Sequence, residues 1–114
     1  MSVSESGLNV FVSAKGSTVT LSFSGDIDAT TAGVFAESIL ASVEAGQCTV
    51  IIDLRAVSFM DSTGINALVQ AKRLAHRRLA DLCIDGLSDN VRRVLELAGV
   101  DRLLLDGATF MSNN

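Results

Sequence analysis

A stretch near the middle of the chain constrains the fold more than any other. Residues 48–54 form a β-branched, apolar run that predicts a strand covered on both faces. Residues 55–60 predict an apolar loop, and Asp-Ser-Thr-Gly at 61–64 passes at once into a helical pattern. Apolar residues recur there at the spacing of one helical face, at Ile65, Leu68, Ala71, Ala75 and Leu79. The sequence therefore predicts a central strand that leads directly into an amphipathic helix of about four turns.

Ser62 stands immediately before this helix, where serine is a preferred N-cap residue. The helix macrodipole places partial positive charge at the same end, which also favours an anion. A plain cap with no further chemistry is the simpler interpretation. A phosphate carried by Ser62 is the alternative that the same position would stabilise.

The remaining pattern predicts further strands and helices on both sides of this junction. Alternating apolar residues indicate an antiparallel hairpin over 8–14 and 18–24, and a last edge strand is predicted at 103–105. Helices are predicted over 30–45 and 88–98, with a short strand at 82–84 between the second and third helices. The ends, about 1–6 and 109–114, are polar and predicted to fray. The fold class is α/β: a mixed, mostly parallel sheet entered by a hairpin, with three main helices.

Composition limits the function classes. The 114 residues suit one domain over 1–114. A net charge of −4 argues against direct binding of nucleic acid, and no apolar run approaches the roughly 20 residues that span a membrane. We expect a cytoplasmic protein whose two cysteines, Cys48 and Cys83, are core thiols, since neither has metal-ligand or Cys-x-x-Cys spacing.

An enzymatic function is not expected. His76 is the only histidine, and it lies about 20 Å along the helix from Ser62 at the ~1.5 Å rise per residue, too far for a proton relay. The chain has no Gly-x-Ser-x-Gly elbow and no phosphate-binding loop of its own. We expect no cofactor and no metal.

Three segments together resemble a known family. Phe-Met-Asp-Ser-Thr-Gly at 59–64, preceded by Ile-Ile-Asp-Leu, resembles the signature of the STAS domain and specifically of bacterial anti-sigma-factor antagonists. GDIDATTA at 25–32 and SDNVRRVLELAGV at 88–100 resemble two other segments of that family, in its order and spacing. The resemblance covers nearly the whole chain.

The resemblance implies a partner-switching function. The unphosphorylated protein would bind an anti-sigma factor that is also a serine kinase with a histidine-kinase-like ATPase fold, so that a sigma factor is released. Phosphorylation of Ser62, with Thr63 as the runner-up, would block binding, and a metal-dependent serine phosphatase would reverse it. The implied binding surface comprises Gly25, Asp26, Asp28, Met60, Asp61, Ser62, Thr63, Gly64 and Ile65.

Several alternatives stay open. A STAS domain can instead be a scaffold subunit of a stress-signalling complex or of a lipid-transport ATPase. A phosphoaspartate receiver domain has a similar size, but no lysine follows the last predicted strand. Asp28 either caps the first helix or flanks Ser62, or does both. Val57 and Phe59 are predicted to anchor the core, with exposure of Phe59 as a partner contact as the alternative, while Met60 fits either the core or the surface.

Overall fold

The computed structural model describes residues 2–5, 7–100 and 104 of the chain. Among these residues, the elements in chain order are β1 (Ser2–Glu5), β2 (Leu8–Lys15), β3 (Thr18–Ile27), α1 (Ala32–Glu44), β4 (Thr49–Met60), α2 (Ser62–Arg77), β5 (Asp81–Leu87) and α3 (Asp89–Leu97). The strands form one sheet in the order β1-β2-β3-β4-β5. The predicted α/β domain, with a mixed sheet, an entering hairpin and three helices, is confirmed.

The sheet changes from antiparallel to parallel pairing at β3. β1 pairs with β2 and β2 with β3 in antiparallel register, whereas β3–β4 and β4–β5 are parallel. The hairpin between β2 and β3 turns at Gly16, whose φ of 61° lies in the left-handed region that favours glycine. The carboxyl ends of β3, β4 and β5 lead into α1, α2 and α3. The three strand-to-helix connections therefore meet at one end of the sheet.

Two predictions about the chain ends are corrected. Ser2–Glu5 was predicted to fray but forms β1, because the backbone groups of this polar segment pair with β2. Leu104 is helical and buried, and its N–H donates to the carbonyl of Val100 at 3.0 Å, so the predicted edge strand is wrong at this residue. Residues 103, 105 and 109–114 lie outside the described residues.

β4 is longer than predicted. Residues 55–60 are not a loop, because β4 continues to Met60. Two register shifts against β3 insert extra residues on the β4 side, so buried side chains recur at Leu54, Val57 and Met60 instead of at every second position. The prediction that this strand is covered on both faces is also wrong, because Val50 and Ile52 are buried while Thr49 and Ile51 are only half-buried.

One hydrophobic core joins the helices to the sheet. The rings of Phe23 in β3 and Phe35 in α1 meet edge to face, with centroids 4.7 Å apart. α2 buries Leu68, Ala71 and Ala75 as predicted, but Leu79 lies beyond the end of α2 and is 94% exposed. Among the described residues, no helix is long and apolar enough to span a membrane.

The third helix has a side-chain cap, and the two cysteines differ in burial. Ser88, and not Asp89, caps α3 by accepting a hydrogen bond from the N–H of Val91. Cys83 is buried, as expected of a core thiol, and this burial raises its pKa. Cys48 is exposed, so its predicted place in the core is wrong: it precedes β4 at the surface.

Candidate functional site

The N-terminus of α2 is capped by Asp61, not by Ser62 as predicted. Asp61 has an extended backbone, and its side chain accepts a hydrogen bond from the N–H of Thr63 at 2.9 Å. Its carbonyl also accepts from the N–H groups of Gly64 and Ile65. Ser62 is consequently the first residue of the helix, and the Asp61 carboxylate takes the capping role that was expected of the Ser62 hydroxyl.

The two hydroxyl groups at the start of α2 differ in their contacts. Thr63 Oγ1 donates a hydrogen bond to the carboxylate of Asp61. Ser62 is exposed, and within the described part of the chain no hydrogen bond involves its hydroxyl. Ser62 is therefore the more accessible nucleophile of the pair.

The connection between β3 and α1 is a tight turn braced by threonines. Asp28 Oδ1 accepts hydrogen bonds from the N–H and the hydroxyl of Thr30, and these bonds lower the pKa of the Asp28 carboxyl. The buried Thr31 hydroxyl donates to the carbonyl of Asp26 at 2.8 Å and accepts from the N–H of Asp28. The N-cap of α1 is Thr31, so Asp28 shapes the turn and does not cap the helix.

The ends of β3 and β4 bring this turn next to Ser62. Asp26 pairs with Phe59 across the two strands, and the N–H of Asp61 donates to the carbonyl of Ile27 at 3.1 Å. We call the carboxylates of Asp26, Asp28 and Asp61 the acidic rim. Within the described residues, the ion pairs link Arg55 to Asp53 and to Asp85 and do not involve this rim. The β3–α1 turn and the start of α2 are therefore adjacent, and the arrangement of Asp26 and Asp28 around Ser62 stays a prediction.

The predicted surface residues differ in exposure. Asp26, Ser62 and Thr63 are exposed, and Gly25, Asp28, Asp61 and Ile65 are half-buried. Met60 is 1% exposed and Gly64 is also buried, which corrects their place in a binding surface. A Cβ added at Gly64 would lie 2.7 Å from side-chain atoms of Ile27 and Met60. These two residues support the surface from beneath, because α2 begins in direct contact with the ends of β3 and β4.

Two residues at this end of the sheet were missed as site residues. Phe59 was predicted to anchor the core but is 49% exposed, because the register shift between Val57 and Phe59 places its ring on the face opposite to Val57, which is buried as predicted. Thr31 holds the β3–α1 turn, and its sequence signal is its place in the GDIDATTA segment directly before α1.

A groove of about 420 Å³ opens between α1 and α2 beside this site. Small side chains of both helices line it, and Thr63 and Ala29 lie at its border with the acidic rim. The site is therefore a ridge formed by the start of α2, with the groove alongside.

The far end of α2 is basic and separate from the site. His76 and Arg77 occupy the last turn, and Lys72 Nζ donates to the carbonyl of Leu82 at 2.9 Å. No group of three or more His, Cys, Asp or Glu side chains is arranged to hold a metal ion anywhere in the described ranges. The sheet order and its two antiparallel pairings differ from the doubly wound parallel sheet of a phosphoaspartate receiver, so that alternative is wrong.

Comparison with known proteins identifies the protein family of this chain. The model of the STAS domain family matches residues 3–113. The chain belongs to the STAS domain family. This STAS domain is 35% identical over 80 residues to the anti-sigma-B factor antagonist of Listeria monocytogenes, covering 70% of each protein. The resemblance inferred from 59–64 and its two companion segments is confirmed at the level of the family.

Solved structures agree with the fold of this STAS domain. An anti-sigma factor antagonist from Mycobacterium paratuberculosis superposes with a TM-score of 0.79 at 24% identity, covering 97% of this chain and 98% of that one. The anti-sigma factor antagonist SpoIIAA in its unphosphorylated form gives a TM-score of 0.71 at 20% identity, covering 84% and 85%. At these identities the superpositions establish a shared fold.

Proposed function

We propose that this STAS domain is an anti-sigma-factor antagonist whose binding is switched by phosphorylation of Ser62. In this proposal, the unphosphorylated chain binds an anti-sigma factor that is also a serine kinase with a histidine-kinase-like ATPase fold, and so frees a sigma factor. A metal-dependent serine phosphatase regenerates the binding form. Such partners would place the chain in the cytoplasm.

The observation that carries the proposal is the difference between the two hydroxyls at the start of α2. Thr63 donates to the Asp61 carboxylate, whereas the exposed Ser62 hydroxyl is not held by any described residue. A kinase needs its acceptor hydroxyl to be accessible to the γ-phosphate of ATP. The choice of Ser62 over Thr63 is supported by this geometry, and the names of the relatives support the partner class.

The same location supports switching by masking, with little change of fold. Phosphoserine adds about 1.5 to 2 negative charges at neutral pH. The N-terminus of α2 offsets part of this charge, so the helix is expected to persist. The bulky, strongly hydrated group would nevertheless stand beside Asp61 on the ridge that a partner must approach. Burying a dianion there without a matched cation costs several kcal/mol, enough to abolish micromolar binding at ~1.4 kcal/mol per tenfold.

Two experiments test the proposal. The first captures partners from the host on the tagged chain and on its phosphorylated form. Recovery of an ATPase-fold anti-sigma factor by the unphosphorylated chain alone supports the proposal. Recovery of a transporter ATPase or of a large stress-signalling complex without such a factor would support the scaffold function instead.

The second experiment maps the acceptor. The chain and its Ser62→Ala and Thr63→Val variants are incubated with the anti-sigma factor, Mg²⁺ and ATP, and then analysed by intact mass and peptide mapping. The expected result is one phosphate on the native chain and on Thr63→Val, and none on Ser62→Ala. A phosphate on Thr63 with Ser62 unmodified would overturn the assignment.

A further inference from the structure

We propose that Phe59 is the apolar anchor of the partner-binding surface, and that it inserts into a pocket of the anti-sigma factor edged by a basic side chain opposite Asp26. This inference rests on the proposed function and deepens it, because it names the residue that would carry much of the binding energy. Phe59 lies three positions before Ser62, on the strand that leads into α2.

The exposure of Phe59 is built into β4. The register shift between Val57 and Phe59 leaves the ring of Phe59 outward at 49% exposure, while Val57 and Met60 are fully buried. A half-exposed aromatic ring gains little within the monomer, and it offers a partner a large apolar area. Aromatic residues of this kind are enriched among the residues that dominate binding energy at interfaces.

The backbone around Phe59 is fixed on both sides. Ser88 Oγ donates to the carbonyl of Val57 at 2.5 Å, and Asn90 Nδ2 donates to the carbonyl of Ser58 at 3.2 Å. On the other side, the N–H of Asp61 is bound to the carbonyl of Ile27. Because this backbone is already ordered, binding through Phe59 costs little backbone entropy, and burial of the ring contributes more fully to affinity.

Charge specifies the chemistry of the partner's pocket. Asp26 is the strand neighbour of Phe59, it is exposed, and no cation among the described residues pairs with it. An arginine or lysine can face both a carboxylate and the face of an aromatic ring. A partner with an apolar pocket and a basic side chain at its edge would satisfy Phe59 and Asp26 together. Phosphorylation of Ser62 would still block binding, because the basic side chain is paired with Asp26 and leaves the phosphate without a matched cation.

Phe11 provides a matched control for the test. It is an aromatic residue on β2 with 56% exposure, and it pairs with Ser22 of β3, away from the start of α2. Phe59→Thr and Phe11→Thr each remove one exposed ring while keeping a residue that favours strands. Phe59→Tyr keeps the ring. Affinity for the purified anti-sigma factor is measured by titration calorimetry, and the thermal midpoint is measured for every variant.

We expect Phe59→Thr to weaken binding at least tenfold, with Phe11→Thr and Phe59→Tyr within threefold of the native chain and thermal midpoints close to native. If Phe59→Thr folds poorly, Phe59→Ala is judged by the same threshold. The anchor role of Phe59 is overturned if Phe59→Thr binds within threefold of the native affinity. It is also overturned if Phe11→Thr loses as much affinity as Phe59→Thr. Either result leaves the proposed function standing. Failure of the native chain to bind the anti-sigma factor overturns the proposed function, and the anchor with it.

A second arm tests the charge. Asp26→Asn is expected to weaken binding and to reduce its dependence on NaCl concentration, since it removes one of the paired charges. If Asp26→Asn has the same affinity and salt dependence as the native chain, the proposed basic side chain at the edge of the pocket is overturned.

Discussion

The carboxylate of Asp61 accepts a hydrogen bond from the backbone N–H of Thr63 at 2.9 Å and thereby caps α2 one residue before Ser62. This relationship frees the Ser62 hydroxyl from a structural role. In the proposed function, helix capping and phosphorylation therefore fall on two neighbouring residues, which can be tested separately.

The cap predicts a contrast between Asp61 and Ser62. Asp61→Ala removes the side-chain acceptor and should lower the free energy of unfolding by about 0.5–2 kcal/mol. Asp61→Asn keeps an acceptor and should cost less, while Ser62→Ala should change stability by no more than about 0.5 kcal/mol. Urea denaturation of the four proteins measures this. A loss for Ser62→Ala as large as that for Asp61→Ala would show that Ser62 is the effective cap.

Gly64 is expected to tolerate no side chain. In Gly64→Ala the new Cβ would meet Ile27 and Met60 side-chain atoms at 2.7 Å, so the start of α2 must shift. We expect a loss of about 1–3 kcal/mol in the free energy of unfolding, the usual cost of overpacking.

Gly33 in α1 is the control for Gly64. A Cβ there meets nothing within 4 Å, so Gly33→Ala should be neutral or stabilise by up to about 1 kcal/mol through helix propensity. Thermal and urea unfolding compare the two variants. Equal stability of Gly64→Ala and the native protein would contradict the tight contact between α2 and the sheet.

The Asp28 turn predicts a pH effect with a defined sign. Hydrogen bonds from Thr30 lower the pKa of Asp28 below its unfolded value of about 3.9. Its contribution to stability is therefore present above that value and is lost as the pH falls through the folded pKa. Thr30→Val removes the side-chain donor and should raise the pKa of Asp28 toward the ordinary value. Carboxyl titration by NMR checks the shift, and an unchanged pKa would contradict the assigned cause.

The two cysteines should differ in reactivity. Cys48 is exposed, whereas Cys83 is buried and its pKa is raised by that burial. Because the thiolate is the reactive form, an alkylating reagent should modify Cys48 first and Cys83 only slowly in the native protein. Peptide mapping over time provides the measurement, with denatured protein as the control. Equal rates in the native state would contradict the burial of Cys83.

Much of this fold is predictable from the sequence because its signals are local. The alternation of Val19, Leu21 and Phe23 predicts β3, and the periodicity of Leu68, Ala71 and Ala75 predicts the buried face of α2. The family resemblance then places the Ser62 motif at the junction of strand and helix. These features depend on patterns within a few residues of each other.

The errors arise where tertiary pairing overrides the local pattern. The register shifts in β4 replace alternation by a spacing of three, so residues 55–60 resemble a loop and the outward direction of Phe59 is hidden. β1 is polar, and only its pairing with β2 makes it a strand. At the start of α2, Asp61 and Ser62 are both good N-cap residues, and the backbone geometry selects Asp61.

The central claim is that phosphorylation of Ser62 masks a preformed surface. The most direct measurement is the affinity of unmodified and Ser62-phosphorylated protein for the same anti-sigma factor, with circular dichroism and thermal midpoint recorded on the same samples. Ser62→Ala, which should bind constitutively, and Ser62→Asp, which should bind weakly while folded, are the controls. We expect phosphorylation to weaken binding at least a hundredfold, with an unchanged helical signal and a thermal midpoint equal to or above that of the unmodified protein. Undiminished binding by the phosphorylated form, or a loss of binding accompanied by a loss of helical signal, would contradict the central claim.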